Sequence, residues 1–217
     1  MIWKLILTAL VGYALGNVTT GVAIARIMGG PDLKKTGSGN VGTTNMLRTM
    51  GWWASALTLG GDVLKGILSA LIGLALSGEP GMLLGGLFSV IGHDFPVLQG
   101  FKGGKGIATS FGCTLVVCPL VAPMLVLVML PMVILTRIMS AGTLLAAMTF
   151  PLLHLWLAPR TAYYWYYVVY SVLLLALALF CHRQNLVRLA HGQENRLDFG
   201  KITRLTRKYH LRKKNRK

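Results

Sequence analysis

Long apolar segments separated by short polar loops constrain the fold of this chain more than any other feature of its sequence. A helix needs about 20 mostly apolar residues to cross the hydrocarbon core of a bilayer. Segments of this kind, some of them shorter, follow one another as far as residue 181. We predict spans near residues 5–27, 53–76, 81–92, 106–120, 122–137, 139–158 and 162–181. The predicted fold class is an all-α integral membrane protein with seven transmembrane helices.

The segment 107–136 decides the number of spans, because its thirty uncharged residues are enough for one overlong helix or two short ones. Pro119 and Pro123 lie near its middle, and paired prolines usually end helices. Lys and Arg are enriched in cytoplasmic loops. Seven spans with the amino terminus outside place 19 of the 22 basic residues inside, including the twelve from Arg183 onward. One span over 107–136 would move those twelve outside, so we predict two spans and a cytoplasmic carboxyl terminus.

Charge and cysteine usage exclude several classes of protein. Only 13% of residues are charged, against about 25% in soluble domains, yet Lys and Arg outnumber Asp and Glu by 22 to 6. Because the basic residues occupy short loops and a tail, we expect no nucleic-acid partner and instead an anionic lipid or substrate. Cys113, Cys118 and Cys181 lie in apolar segments and are expected to be buried thiols. No His, Cys and carboxylate set has metal-ligand spacing, so no metal or other cofactor is expected.

The first polar motif lies between the first two predicted spans. Gly37 and Gly39 allow the backbone to turn its N–H groups toward an anion. Ser38 and Asn40 add side-chain donors, and Arg48 can bind a phosphate through two parallel hydrogen bonds. The alternative is a flexible glycine-rich loop without a ligand.

The second motif precedes the fourth predicted span. Lys102 and Lys105 bracket Gly103 and Gly104, and His93 lies upstream. A helix amino terminus with its free N–H groups favours an anion at this position. The glycine and hydroxyl positions of a nucleotide-binding P-loop are not matched, so ATP is not indicated.

The third motif follows the last predicted span. His182, Asn185 and Arg188 recur at helical spacing and share one face. A basic helix that contacts anionic lipid is the alternative for this segment taken alone. The charge distribution places all three motifs on the cytoplasmic side, and we therefore predict an active site at the cytoplasmic face.

Together the three motifs resemble those of the bacterial acyl-phosphate-dependent glycerol-3-phosphate acyltransferases, the PlsY family. The resemblance runs from residue 1 to about 197 and includes the seven spans. Thr43 stands where the family more often has alanine, and the segment 60–66 around Asp62 also follows the family pattern. The expected organisation is a membrane acyltransferase domain over 1–197 and a basic cytoplasmic tail over 198–217. The matching stretches are Gly37–Gly42 with Asn45 and Arg48, Gly92–Pro96 with Phe101–Thr109, and His182–Arg183 with Asn185, Arg188–Leu189, Gly192 and Glu194.

The resemblance implies transfer of a fatty acyl group from acyl phosphate to the 1-hydroxyl of glycerol 3-phosphate, giving lysophosphatidic acid and inorganic phosphate. It implies a multi-pass protein of the bacterial plasma (inner) membrane, with a functional link to the enzyme that makes acyl phosphate. The implied catalytic residues are Ser38, Arg48, Lys105, His182 and Asn185. The expected phosphate-binding residues are Gly37, Gly39, Asn40, Asn45, His93, Lys102, Gly103, Gly104 and Glu194.

The residues themselves leave three questions open. None of the five histidines has Asp five positions later, so the proton acceptor is either an oxygen of the acyl phosphate or His93. Asp62 and Lys65 lie within a predicted span, where they pair with each other or reach the substrate. The alternative functions are a phosphate or organophosphate transporter, disfavoured by the minimal outer loops, and an alcohol phosphotransferase, disfavoured because the acidic residues are scattered.

Overall fold

The computed structural model describes residues 2–214, and these form helices and loops without a β-strand. The all-α fold class predicted from the sequence is confirmed. A single 3-10 turn, Val97–Gln99, follows α4. The helices are α1 Ile2–Gly16, α2 Thr20–Ile27, α3 Thr43–Met50, α4 Trp52–Asp94, α5 Ile107–Val117, α6 Val121–Thr136, α7 Met139–Leu157, α8 Tyr164–Cys181, α9 Arg183–Ala190 and α10 Phe199–Lys214.

The first predicted span is interrupted at residues 17–19, between α1 and α2. A break at membrane depth exposes backbone carbonyls, which cost free energy unless they find donors. Here the ammonium of Lys65 donates to the carbonyls of Gly16 at 3.1 Å and Val18 at 2.8 Å. The amide Nδ2 of Asn17 donates to the carbonyl of Tyr13 at 2.8 Å. The break is therefore supported by polar side chains from within the bundle.

The long helix α4 is a hairpin of two antiparallel arms, which correspond to the second and third predicted spans. Its chain reverses at Ser77 and Gly78, and Gly78 has φ 65°, a left-handed conformation that favours glycine. We call residues 52–76 the first arm and residues 79–94 the second arm. The arms approach closely where small residues face each other: a Cβ on Gly85 would lie 2.6 Å from the carbonyl oxygen of Ser69. Small residues of this kind allow helix backbones to pack directly in membranes.

The predicted turn between Pro119 and Pro123 lies at residues 118–120, between α5 and α6. Four stretches are long and apolar enough to cross a bilayer: Ile2–Ile27, Trp52–Gln99, Met139–Leu157 and Tyr164–Cys181. The helices α5 and α6 are apolar but shorter, with 11 and 16 residues. The count of seven spans and their orientation therefore remain predictions.

The bundle has two distinct ends. At one end Glu79, at the turn of the α4 hairpin, accepts hydrogen bonds of 2.8 Å from the hydroxyls of Thr161 and Tyr167. At the other end the three polar motifs meet: Lys34 donates to the carbonyl of Gln99 at 3.1 Å, and Lys105 donates to Asn185. The convergence expected from the sequence is thus present in the fold.

The carboxyl-terminal helix α10 packs back onto this second end. Ile202 and Tyr209 are buried, and the hydroxyl of Thr206 accepts a hydrogen bond of 3.0 Å from the amide of Trp52. A Cβ on Gly51 would lie 2.7 Å from the amide nitrogen of Thr206, so α10 contacts the backbone between α3 and α4 directly. The boundary between a domain and a tail at residue 197 stays a prediction, but the tail helix has a buried face.

We predict that the end with the polar motifs faces the cytoplasm. Cysteine should be introduced separately at the exposed positions Lys102 and Gln193, and at the exposed Arg160 of the opposite end, in a chain without its native cysteines. In intact cells an impermeant thiol reagent should label only the Arg160→Cys variant, because the positive-inside rule places the other two within. Labelling of Lys102→Cys or Gln193→Cys from outside would contradict the predicted orientation.

Candidate active site

A cavity of about 360 Å³ lies where the three motifs meet. Its polar part collects side chains from the loop before α3, the loop before α5, and the α8–α9 junction. Its apolar part runs between α5, α6, α7 and α8. Nine of the residues predicted for the site line it: Ser38, Asn40, Asn45, Arg48, His93, Lys105, His182, Asn185 and Glu194.

Asn45 organises the loop of the first motif. Its Nδ2 lies 2.7 Å from the carbonyl of Asn40, 2.9 Å from that of Thr36 and 3.1 Å from that of Leu33. Its Oδ1 accepts a hydrogen bond of 2.9 Å from the amide of Ser38. The side chain is 2% exposed, so its hydrogen-bonding capacity serves the loop. Asn45 was expected to bind phosphate, and the contacts place it behind the loop that carries Ser38.

Arg48 reaches the cavity from the last turn of α3. Its guanidinium donates to the carbonyl of Asn195 at 3.0 Å, while its buried Nε has no partner among the described residues. Burial lowers the pKa of Arg48, Glu194 raises it and Arg188 lowers it. A half-buried guanidinium with an unpaired Nε is suited to receive an anion through the hydrogen bonds that it does not make within the described structure.

Lys105 also lines the cavity, and its ammonium donates to Oδ1 of Asn185 on α9. Burial lowers the pKa of Lys105 to about 8; Glu194 opposes this shift, and Arg188 and Arg48 add to it. Desolvation disfavours the charged form of a lysine, so the Lys105 ammonium gives up its proton at a lower pH than a solvated lysine does.

His182 closes the polar part of the cavity just beyond the end of α8. Its Nδ1 lies 2.8 Å from the carbonyl of Ala178, and a carbonyl requires that this nitrogen carry the proton. Burial, followed by the neighbouring charge of Lys105, lowers the pKa of His182 to about 4. The ring is therefore neutral near pH 7, with Nε2 unprotonated and able to accept a hydrogen bond.

Glu194 is the acidic group closest to the cations. Its side chain is 1% exposed and forms an ion pair of 2.9 Å with Nε of Arg188. Arg188 was predicted to share a face with His182 and Asn185, but it does not line the cavity and instead neutralises Glu194. The pair leaves Arg48 and Lys105 as the cations available to a ligand.

The glycines of the second motif form hydrogen bonds within the fold, and the phosphate binding expected of them stays a prediction. Neither Lys102 nor the pair Gly103 and Gly104 lines the cavity. The amides of Gly103 and Gly104 donate to the carbonyls of Asp94 at 3.2 Å and His93 at 3.0 Å. The two glycines therefore fold the loop back onto the end of α4, which presents Lys105 to the cavity. Gly37 and Gly39 likewise do not line the cavity; both have positive φ, 66° and 72°, and shape the turn around Ser38.

Asp62 and Lys65 form the structural pair that was one of the two alternatives. Their charged groups are 3.0 Å apart, and Asp62 also accepts a hydrogen bond of 3.0 Å from Thr20 at the start of α2. Nδ1 of His93 lies 3.5 Å from Asp62. Asp62 also lines the cavity, whereas Lys65 is directed to the break between α1 and α2.

The apolar part of the cavity was not predicted residue by residue. It is lined mainly by side chains of α6, α7 and α8, such as Val126, Met129, Ala147, Phe150, Leu175 and Ala178. Two hydroxyl residues of α7, Ser140 and Thr143, also line it and gave no signal in a uniformly apolar sequence. A groove of this kind suits a hydrocarbon chain.

Comparison with known proteins agrees with this geometry. Residues 6–192 match the family model described as glycerol-3-phosphate acyltransferase. A glycerol-3-phosphate acyltransferase from Thermoanaerobacter sp. (strain X514) is 36% identical over 192 residues, covering 88% of this chain and 95% of its own length. The glycerol-3-phosphate acyltransferase from Shouchella clausii (strain KSM-K16) is 39% identical over 200 residues, which cover 91% of this chain and 98% of its own length.

Solved structures also resemble the fold of this chain. The crystal structure of PlsY, an integral membrane glycerol 3-phosphate acyltransferase, in its glycerol 3-phosphate form superposes with a TM-score of 0.83 at 35% identity. The superposition covers 92% of this chain and 98% of the PlsY chain. Its lysophosphatidic acid form gives a TM-score of 0.81 at 34% identity, with the same coverage.

The helical bundle with its polar and apolar cavity is that of an integral membrane acyltransferase. The chain belongs to the glycerol-3-phosphate acyltransferase family, in its PlsY branch, whose members act in phospholipid synthesis. The resemblance seen in the three motifs is thereby confirmed.

We predict that Asn45 acts through the loop rather than on the substrate. Asn45→Asp removes the donors to three carbonyls and should lower both the unfolding temperature and turnover, since unsatisfied buried groups cost about 1–3 kcal/mol each. Ser38→Ala should lower turnover alone, because the backbone of the loop is kept. Thermal unfolding and turnover of both variants in detergent provide the measurement. Unfolding of Asn45→Asp at the wild-type temperature would show that the loop does not depend on this amide.

We predict that kcat/KM falls as the pH rises through about 8, the pKa of Lys105 in the free enzyme. The pKa is depressed, so the ammonium is present below this pH and is lost above it, and kcat/KM reports the free enzyme. In Lys105→Arg the guanidinium stays charged, so the alkaline decline should move beyond the measured range at a lower absolute rate. The same alkaline decline in Lys105→Arg would assign the ionisation to another group.

Proposed function

We propose that this protein transfers a fatty acyl group from acyl phosphate to the 1-hydroxyl of glycerol 3-phosphate. The products are lysophosphatidic acid and inorganic phosphate. The observation that carries the proposal is the cavity itself: two cations and several donors lie at one end, and an apolar groove continues from them between α5 and α8. A phosphorylated donor with a long acyl chain needs both parts in one cavity.

The solved structures support both ends of the proposed reaction. The two crystal structures of PlsY are described as its glycerol 3-phosphate form and its lysophosphatidic acid form. At 34–35% identity and over 92% of this chain, these proteins share its fold. Family membership also disfavours the transporter and the alcohol phosphotransferase considered from the sequence.

The proposed reaction needs no covalent enzyme intermediate. The oxygen of the 1-hydroxyl attacks the acyl carbon, and the bond from that carbon to the bridging phosphate oxygen breaks. The hydroxyl proton passes to an oxygen of the departing phosphate, which leaves as hydrogen phosphate, so atoms and charge balance. The contacts of His93 support this assignment of the proton. Its Nδ1 faces Asp62, and its Nε2 lies so close to Gly104 that a Cβ there would overlap it.

The cations and donors would then act by position and charge. Arg48 and Lys105 would neutralise the two phosphates and the charge that develops on the leaving group. The neutral ring of His182 and the hydroxyl of Ser38 would orient the glycerol hydroxyl and a phosphate oxygen. Asn185 would hold Lys105, and Glu194 would keep Arg188 away from the substrates.

The proposed setting is the cytoplasmic face of the bacterial plasma (inner) membrane. Glycerol 3-phosphate reaches such a site from solution, while the acyl chain enters the groove between the helices. Acyl phosphate is a reactive mixed anhydride, so an enzyme that generates it must supply this site, and we propose a functional link between the two.

We predict that purified protein, supplied with acyl phosphate and labelled glycerol 3-phosphate, forms lysophosphatidic acid without ATP and in the presence of a chelator. Acyl-CoA and acyl carrier protein thioesters should give little product. Arg48→Lys, which keeps the charge but loses the paired hydrogen bonds, should lower turnover by about 10²–10³. Arg26→Lys, at an exposed position on α2, is the matched control. Faster turnover with a thioester than with acyl phosphate would refute the proposed donor.

A further inference from the structure

The carboxyl-terminal helix α10 has two faces of opposite character. Its inner face carries Ile202 and Tyr209, which are buried, and Leu205, which is half-buried. Its outer face carries four exposed basic side chains, and none of these forms an ion pair with a described residue: Lys201, Arg204, Arg207 and Lys208. Cations that lack a protein counter-charge leave this face available to an external anionic surface.

The start of α10 lies at the level of the membrane interface. The ring of Phe199 stacks on that of Trp52, with centroids 6.4 Å apart and an interplanar angle of 7°. Trp52 is the first residue of a helix long enough to cross the bilayer, and tryptophans at such positions lie among the lipid headgroups. Both rings remain about half exposed, at 47% and 45%. The stacked pair therefore holds α10 beside the headgroups rather than out in solution.

The inner face of α10 holds the elements that carry Arg48. Tyr209 packs in a cluster with Met46 and Met50 of α3, and Ile202 packs in a second cluster with Leu47. Between α9 and α10, the carbonyl of Asn195 receives the guanidinium of Arg48 at 3.0 Å. Two residues later, the amide of Leu197 donates to the carbonyl of Arg137 at 2.8 Å, at the turn between α6 and α7. Binding that holds α10 against the bundle therefore also restricts the movement of Arg48.

We propose that α10 binds anionic lipid headgroups of the bilayer through its basic outer face, and that this binding promotes turnover by holding α3 and Arg48 in place. Residues 193–217, which include α10, lie beyond the segment that matches the family model. The charge of the outer face selects the partner: zwitterionic headgroups offer no net counter-charge, whereas phosphate-bearing anionic lipids do.

The test compares two variants that each lose two exposed cations from the same end of the molecule. Arg204→Gln with Lys208→Gln removes charge from the outer face of α10, and Arg26→Gln with Lys35→Gln removes it elsewhere. Each is reconstituted in zwitterionic bilayers that contain increasing fractions of anionic lipid. Truncation is avoided because it would also remove the buried Ile202 and Tyr209.

Anionic lipid should lower the KM of the wild type for glycerol 3-phosphate, and high salt should suppress the effect. The α10 variant should show a smaller fall in KM at each fraction of anionic lipid, because each lost basic residue weakens binding to the anionic surface by about fivefold. The variant with Arg26 and Lys35 replaced should behave as the wild type. The proposal would be overturned if anionic lipid had no effect on the KM of the wild type, or if both variants lost the lipid effect equally. It would also be overturned if the α10 variant had the same raised KM in purely zwitterionic bilayers as in anionic ones.

A second readout does not depend on the identity of the acyl donor. Backbone hydrogen exchange in 43–50 and 199–209 should slow when anionic lipid is added to the wild type, and less so in the α10 variant. If no acyl donor gives turnover but anionic lipid slows this exchange, the proposed function is wrong while the binding of α10 to anionic lipid is supported. Exchange that does not respond to anionic lipid would refute the lipid-binding helix directly.

Discussion

The buried ion pair between Asp62 and Lys65 is the interaction on which the rest of the fold depends. Two charges at membrane depth are costly unless paired and fully hydrogen-bonded, and here they are 1% and 5% exposed. Lys65 satisfies the carbonyls released by the break after α1, and Asp62 binds Thr20 at the start of α2. Asp62 also faces His93 on the second arm of α4. One pair thus joins the interrupted first helix to both arms of the hairpin.

From this pair a continuous set of contacts leads to the cavity. His93 and Asp94 receive the amides of Gly104 and Gly103, which sets the loop before Lys105. Asn40 donates to the carbonyl of Gly103 at 3.4 Å and so connects this loop to the one that carries Ser38. The polar loops are therefore positioned from within the bundle, by the buried pair and the residues that it contacts. Positioning of this kind suits a reaction that relies on orientation and charge rather than on a nucleophile.

Apolar length predicted where the apolar helices lie, because it reflects the bilayer and requires no knowledge of contacts. It gave no signal for the polar helices α3 and α10, and the seven-span count inferred from charge stays a prediction. The break after Gly16 was missed, since Asn17 gives a weak signal unless Lys65 is known to lie opposite. The three motifs identified the residues at the site, but a motif does not reveal which donors are already engaged. Asn45 and the amides of Gly103 and Gly104 were expected to bind phosphate; in the structure they donate to backbone carbonyls, and their binding of phosphate stays a prediction. Such roles depend on pairings between distant loops, which a single sequence does not contain.

The charged groups around the cavity show how two cations can be placed there without a large loss of stability. Arg188 neutralises Glu194, and burial lowers the pKa of Lys105 to about 8 and lowers that of Arg48 as well. Buried cations without counter-charges destabilise a fold. Arg48 and Lys105 are half-buried, and each has a carbonyl oxygen as a neutral partner. A bound phosphate would supply the missing negative charge and raise both pKa values. The proposed substrates would thus complete the balance of charge that the protein leaves open, and the same cations would then act on the leaving phosphate.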